Sequence, residues 1–196
     1  MNRIDILNAI IKKNNFTKFC EIGVQAGDCF RGVQCEYKVG VDPDTSSAAT
    51  IHKTSDDFFA TLEENFQIYW VDGLHEKSQV ERDILNALNH LEDGGVVCCH
   101  DMLPTNFHMQ EVPLTDQSEW TGNCWEAFVK LRTERDDLEM VVISTDWGCG
   151  LIWKGKQEKL VIPEGTEINY ANFVANKDVW MNVRTPEWFT EVYLKG

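Results

Sequence analysis

The chain of 196 residues has about the size of one domain, and chains of this size bury most of their surface without disulfides or metals. Its formal charge of −14, from 18 basic and 32 acidic residues, opposes binding to nucleic acids. No stretch approaches the roughly 20 apolar residues of a membrane span, and no secretory signal is readable. The seven cysteines form no CxxC pair. We therefore expect a cytoplasmic protein with reduced thiols and a small-molecule partner.

Helix and strand patterns alternate along most of the chain. In chain order they predict a helix over 4–14, strands over 19–23 and 37–42 with a glycine turn and a short helix between them, and a weak strand over 50–53. They continue with a helix capped by Ser55, a strand over 66–72, a helix over 75–91 ended by Gly94 and Gly95, and a strand over 96–99. A helix over 124–135 and strands over 138–144 and 150–154 follow.

This alternation predicts an α/β fold with a mostly parallel, Rossmann-like sheet and helices on both faces. A short turn at Asp146-Trp147-Gly148 indicates that the last strand is antiparallel. We expect a single domain over 1–196, with its core over 18–154 and a lid loop over 102–121. The aromatic tail over 155–196 is expected to cover an exposed face of the sheet or a partner subunit, and the second arrangement would make a homodimer. A role of the tail in binding the acceptor is a third alternative.

Acidic residues stand where the predicted parallel strands end. These residues are Glu21, Asp42, Asp72 and Asp101. In open α/β sheets the ligand lies beyond the carboxyl ends of the strands, so the four acids are expected to converge at one site. Gly23 and Gly27 lie in the first of these strand-to-helix turns, where the backbone must approach a ligand closely.

The spacing of the first two acids favours a nucleoside ligand. Asp42 follows Glu21 by a distance that suits an acid binding two ribose hydroxyls. The turn lacks the GxGxxG pattern of nicotinamide nucleotide sites, and Glu21 would lie next to a pyrophosphate. S-adenosylmethionine has no phosphate and carries an ammonium and a sulfonium, so acidic strand ends suit it better.

The sequence resembles the class I methyltransferases, and within them the small stand-alone enzymes found beside sugar and natural-product pathways. The resemblance extends over about Lys18 to Lys154. Its motifs are Glu21-Ile22-Gly23-Val24 with Gly27, Val39-Gly40-Val41-Asp42, Val71-Asp72-Gly73-Leu74-His75, Gly94-Gly95-Val96-Val97, His100-Asp101 and Trp120-Thr121-Gly122-Asn123-Cys124-Trp125.

The resemblance implies a role for each of these positions. It places Glu21, Gly23 and Gly27 at the methionine and sulfonium end of the cofactor, Asp42 at the ribose, Ser55 and Asp56 around the adenine, and Asp72 beside the transferring methyl group. The sequence departs from the family at Gln25, where many members have a glycine, and over 44–50, which leaves little room for the usual second helix.

Four residues are candidates for handling the acceptor hydroxyl, and they are Asp72, His75, His100 and Asp101. The two aspartates are placed similarly to the magnesium-binding acids of catechol-type O-methyltransferases. The resemblance therefore implies a divalent metal, Mg or Mn, held by Asp72 and Asp101 with His75 or His100. The alternative is a metal-free site in which one histidine is the general base.

The leading hypothesis is an enzyme that methylates an oxygen of a small hydroxylated acceptor, such as a sugar or natural product, by in-line displacement. Two other hypotheses stay open. One is a protein that binds S-adenosylmethionine without turnover. The other is a nicotinamide-dependent oxidoreductase, which the missing GxGxxG pattern disfavours.

Overall fold

A computed structural model describes residues 1–114 and 119–196 of the chain. Its strands are β1 Lys18–Ile22, β2 Tyr37–Val41, β3 Phe66–Val71, β4 Leu91–Cys99, β5 Leu138–Ile143, β6 Cys149–Lys154 and β7 Val183–Arg184. Its helices are α1 Arg3–Asn14, α2 Asp28–Gly32, α3 Ser55–Phe59, α4 Lys77–Asn89, α5 Cys124–Glu134, α6 Tyr170–Trp180 and α7 Pro186–Trp188. A 3₁₀ turn spans His108–Gln110, and a π-helical turn spans Phe189–Tyr193.

The strands form one mixed sheet in the order β2-β1-β3-β4-β6-β5-β7. β2, β1, β3 and β4 pair in parallel, and β6 pairs antiparallel with both β4 and β5. The prediction of an α/β fold with a mostly parallel sheet is therefore confirmed. The antiparallel strand is not the last one, however, because the tail adds the short β7 parallel to β5.

The N-terminal helix α1 begins and ends at clear local signals. The Asn2 side chain accepts a hydrogen bond from the Asp5 amide, and the Asp5 carboxylate accepts one from the Asn2 amide, which is a capping box. Asn15 ends the helix in the left-handed conformation. The apolar positions of α1 are buried against the sheet, and they are Ile6, Leu7, Ile10 and Ile11. The predicted helix over 4–14 is thus confirmed to within a residue.

Two predictions around residue 50 are wrong. The weak strand over 50–53 is reduced to a single bridge between Ile51 and Val41, because the amides of Thr50 and Ile51 both donate to the Gly40 carbonyl. The helix over 55–59 is capped by Thr54 instead of Ser55, since the Thr54 hydroxyl accepts from the Asp57 amide. No helix forms over 44–50, in agreement with the prediction that this segment is too short for one.

The glycine pair Gly94-Gly95 does not end α4, which stops at Asn89. Leu91 already pairs with Phe66 of β3, and the register then shifts so that Ile68 faces Val96. The two glycines lie in this irregular stretch of β4, where Gly94 has a φ of +77°. A side chain at position 95 would come within 2.7 Å of a carbonyl oxygen of β3. The glycines therefore permit a bulge within the strand instead of capping the helix.

Apolar side chains fill both faces of the sheet, and the aromatic tail contributes to each. On one face the α6 residues Phe173 and Trp180 pack against Trp125 of α5, with ring centroids 4.4 and 6.4 Å from it. On the other face Phe189 joins the cluster that includes Trp70 of β3. The tail therefore covers its own sheet, which is the first of the predicted arrangements. Within residues 1–114 and 119–196, no helix has the length and apolar character needed to cross a membrane.

Substitution of Phe173 tests how firmly the tail is packed. Phe173 is fully buried, so Phe173→Ala is expected to lower the free energy of unfolding by about 3–5 kcal/mol. Val179 lies on the same helix and is 66% exposed, so Val179→Ala should change it by no more than about 0.5 kcal/mol. Urea unfolding followed by circular dichroism measures both. Equal stability of the two variants would show that α6 does not pack against the core.

Candidate functional site

A cavity of about 890 Å³ opens at the carboxyl ends of the parallel strands. All the site residues predicted from the sequence line it, and they are Glu21, Gly23, Gly27, Asp42, Ser55, Asp56, Asp72, His75, His100 and Asp101. The sheet order explains this convergence. Because β2, β1, β3 and β4 are parallel neighbours, the residues that follow them meet at one edge.

The turn after β1 requires glycine at its first position. Gly23 has a φ of +87°, and a Cβ there would lie 2.1 Å from the carbonyl oxygen of Asp72. The absence of a side chain thus lets the ends of β1 and β3 approach each other. Gly27 caps α2 with a φ of +82°. Gln25 also has a positive φ, +49°, at the position where many class I methyltransferases have a glycine.

Asp42 shapes this turn directly. Its Oδ2 accepts hydrogen bonds from the amides of Val24, at 3.0 Å, and Gln25, at 2.8 Å. Its Oδ1 accepts one from the amide of Asp44, at 2.9 Å. A carboxylate has about four acceptor positions, so this arrangement leaves room for a ligand hydroxyl. The sequence predicted a ribose-binding role for Asp42 and did not predict its second role in holding the turn.

Glu21 is the least satisfied carboxyl group of the site. It is 1% exposed, and its Oε2 has no hydrogen-bond partner among the residues that the structure describes. Burial, together with the negative charge of Asp72, raises the pKa of Glu21 to about 8. A buried carboxyl that lines a cavity without a partner is suited to a cationic group of a ligand.

Two carboxylates flank the imidazole of His75. Its Nε2 lies 3.2 Å from Oδ1 of Asp72, and its Nδ1 lies 3.3 Å from Oδ2 of Asp101. The Nδ1 atom also lies 3.1 Å from the carbonyl oxygen of Trp120, whose ring stacks on the imidazole at 5.2 Å. Asp101 has a φ of +62°, a conformation that L residues rarely adopt and that aims its side chain at this cluster.

His100 faces the same two carboxylates from the other side. Its Nδ1 lies 3.4 Å from Asp72 Oδ1 and 3.4 Å from Asp101 Oδ2, and its Nε2 lies 2.8 Å from the carbonyl oxygen of Asp146. Burial lowers the pKa of His100, but the charge of Asp72 and the contacts with Asp101 and Asp146 together outweigh burial and hold that pKa well above its ordinary value. Burial likewise opposes ionisation of Asp72, yet His100 and His75 bring the pKa of Asp72 below its usual range.

The same cluster has the donors of a metal site. Ligand atoms of Asp72, His75 and Asp101 all lie within 4.8 Å of one another at the cavity wall. Two carboxylates and an imidazole are a donor set that fits a divalent cation. His100, Asp146 and Cys149 form a second group with comparable spacing. Cys149 does not line the cavity, and burial raises its pKa to about 12, so this second group is less suited to a cation.

The cavity also includes residues that the sequence analysis did not single out. These are Arg3 from α1, Trp147 from the hairpin between β5 and β6, and Met109, Leu114 and Glu119 from the predicted lid. Trp120 and Thr121 of the lid line the cavity too, and residues 115–118 lie outside the described residues. The amides of Thr121 and Gly122 donate to the Met109 carbonyl, which joins the two described ends of this segment. The sequence indicated Trp147 as part of a turn, but no pattern placed either Trp147 or Arg3 at the site.

Comparisons with known proteins show what the chain is similar to. Residues 36–102, which include Asp42, Asp72, His75, His100 and Asp101, match a family model described as a methyltransferase domain. A comparison with curated protein sequences gave no match.

Solved structures share the fold at low sequence identity. The O-methyltransferase TomG of tomaymycin synthesis from Streptomyces achromogenes, in complex with SAM, has 16% identity and a TM-score of 0.59 over 78% of this chain and 79% of that chain. An O-methyltransferase from Bacillus cereus, in complex with SAH, has 12% identity and a TM-score of 0.58 over 78% and 80%. MycE of the mycinamycin pathway, in complex with Mg, SAH and mycinamycin VI, has 15% identity and a TM-score of 0.51 over 78% and 48%.

The family match covers the strands that carry most of the candidate site, and the shared fold extends over more than three quarters of the chain. Residues 36–102 therefore match a methyltransferase domain, and the chain shares the Rossmann-like α/β fold of these solved O-methyltransferases.

Proposed function

We propose that the protein transfers a methyl group from S-adenosylmethionine to a hydroxyl oxygen of a small acceptor, such as a sugar or natural product. One observation carries the proposal. The unpartnered carboxyl of Glu21 and the cluster of Asp72, His75 and Asp101 line the same cavity. The first suits a cationic cofactor, and the second suits an acceptor hydroxyl that must lose its proton.

The cofactor would lie along the turn after β1. In this placement Glu21 receives the ammonium of the methionine end, Gly23 and Gly27 allow close approach, and Asp42 binds the ribose. Ser55 and Asp56 frame the adenine, and Gln79 of α4 holds both of them through its amide nitrogen, at 3.0 and 3.2 Å. Complexes of structural neighbours with SAM or SAH support this assignment.

The transfer itself needs alignment and a proton acceptor. As the acceptor oxygen bonds to the methyl carbon, the carbon–sulfur bond breaks, the sulfonium becomes a neutral thioether, and the hydroxyl proton goes to a base. We assign the base to His75, whose side chain is 17% exposed, in preference to His100, which is 4% exposed. Because Nδ1 of His75 lies against the Trp120 carbonyl, Nε2 is the atom that would take the proton.

The residues of the cluster fit a divalent cation, and we assign Mg or Mn. Asp72 and Asp101 would hold it, with Nδ1 of His100 facing both carboxylates. The Nε2 of His100 lies against the Asp146 carbonyl, as the second nitrogen of a metal-ligating histidine commonly does. When bound, such a cation lowers the pKa of an acceptor hydroxyl. The magnesium in the complex of MycE supports the assignment.

The first prediction of this proposal concerns cofactor affinity. Asp42→Ala removes charged hydrogen bonds to the ribose, so it should weaken S-adenosylhomocysteine binding by about 1.5–3 kcal/mol, roughly ten-fold or more. Asp44→Asn, at an exposed neighbour outside the cavity, should leave it unchanged. Isothermal titration calorimetry measures both. Binding of NAD without binding of S-adenosylhomocysteine would favour the oxidoreductase hypothesis instead.

The second prediction concerns the opposing effects of Glu21 on binding and stability. The pKa of Glu21 is about 8 in the folded protein and 4.5 ordinarily, so between these pH values the folded protein keeps a proton that the unfolded chain releases. The contribution of Glu21 to the free energy of unfolding therefore becomes more unfavourable as the pH rises from 4.5 to 8. At pH 9 Glu21→Gln should therefore raise the free energy of unfolding by about 1–4 kcal/mol relative to the parent protein. The gain in stability should vanish near pH 4. The variant should also bind the cofactor more weakly than the parent protein.

Thermal and urea unfolding at the two pH values test this prediction. If Glu21→Gln changed the free energy of unfolding by the same amount at both pH values, the assigned pKa and its cause would be contradicted.

The third prediction concerns the metal. Methyl transfer to hydroxylated acceptors, followed as release of S-adenosylhomocysteine, should be lost after exhaustive chelation and restored by Mg or Mn. Asp101→Asn should abolish the restored activity, whereas Asp93→Asn, at an exposed position of β4, should not change it. Undiminished activity after chelation would eliminate the metal and favour the metal-free site. Cofactor binding with no transfer to any acceptor would favour the protein without turnover.

A further inference from the structure

Arg3 of α1 reaches the cavity with part of its guanidinium unused. Its Nη1 lies 3.3 Å from Asp146 Oδ1 and 2.9 Å from His100 Nε2, and its backbone amide donates to Asp146 Oδ2 at 2.8 Å. Nε and Nη2 have no hydrogen-bond partner within residues 1–114 and 119–196. One end of the guanidinium is therefore anchored, and its other edge can bind a planar ligand with two oxygens.

The charge of the cavity makes this edge significant. Among the lining residues that the structure describes, Arg3 is the single arginine or lysine. The acids that line the same cavity include Glu21, Asp42, Asp56, Asp72, Asp101 and Glu119. A ligand carboxylate entering these surroundings is repelled unless a cation lies where it binds. Arg3, with 30% of its side chain exposed, supplies such a cation.

The position of Arg3 indicates which part of a ligand it meets. Arg3 lines the same cavity as Glu21, at the end of β1, and Cys29, in α2, and its positive charge opposes the rise in the pKa of both groups. Arg3 therefore lies near the turn between β1 and α2, where the methionine end of the cofactor is assigned. That end carries an ammonium and a carboxylate on one carbon atom. Glu21 and Arg3 present the two complementary charges.

We propose that Arg3 binds the carboxylate of the methionine end of S-adenosylmethionine through Nε and Nη2, while Glu21 receives the ammonium. This inference rests on the proposed function and extends it, because it adds a residue from outside the resemblance to the cofactor site. Holding both charged groups of the amino acid fixes the direction in which the sulfonium presents its methyl group. Arg3 thereby joins the N-terminal helix to the site in addition to its contact with Asp146.

The test compares S-adenosylhomocysteine with its decarboxylated analogue, which keeps the amine and lacks the carboxylate. By titration calorimetry the parent protein should prefer S-adenosylhomocysteine by about ten-fold or more. In Arg3→Gln the preference should fall to within about two-fold, with little change in affinity for the analogue. Lys12→Gln, which removes the same charge from an exposed position of α1, should retain the parent preference.

If Arg3→Gln weakened the binding of both ligands equally, Arg3 would have a merely structural role and the inference would be overturned. An unchanged preference for S-adenosylhomocysteine would overturn it as well. If Arg3→Gln does not fold, Arg3→Lys replaces it. Lysine keeps the charge but loses the two-pronged edge, and an unchanged preference would again overturn the inference. Failure of the parent protein to bind S-adenosylhomocysteine at all would instead overturn the proposed function, and this inference with it.

Discussion

Repulsion among carboxylates at neighbouring strand ends is the constraint on which this site depends. Asp72 and Asp101 lie side by side, and His75 and His100 each lie within 3.4 Å of both. The two histidines hold the pKa of Asp72 below its usual range. Glu21 has no such partner, and its pKa rises to about 8. Asp72 is thus held ionised and Glu21 neutral, and a bound cation would change the balance of both.

Offsetting this repulsion requires parts of the chain that are distant in sequence. His100 is held by Asp146 of the β5–β6 hairpin, and Asp146 is in turn bound by Arg3 of α1. The hairpin turn can offer these groups because Asp146, Trp147 and Gly148 all have positive φ values. The aromatic tail packs on both faces of the sheet and supports the strands that end at the site. Stability and site geometry are therefore coupled through the same elements.

Much of this arrangement could be predicted from the sequence, for identifiable reasons. Buried parallel strands have a strong apolar signal, and residues at or just beyond their carboxyl ends must converge, so Glu21, Asp42, Asp72 and Asp101 could be placed before the fold was known. Other features depend on long-range contacts. Arg3 meets His100 across 97 positions of sequence and Asp146 across 143, and no local pattern encodes either contact. The register shift that places Gly94 and Gly95 inside β4 likewise depends on β3 and not on the helix before it.

Identification of the small molecule that copurifies with the protein tests the central claim most directly. Native mass spectrometry of the freshly purified protein would detect the bound molecule, and denaturation followed by analysis of the released ligand would identify it. We expect S-adenosylmethionine or S-adenosylhomocysteine, because the acidic strand ends accept a sulfonium and an ammonium and disfavour phosphate. A nicotinamide dinucleotide in the cavity would contradict it.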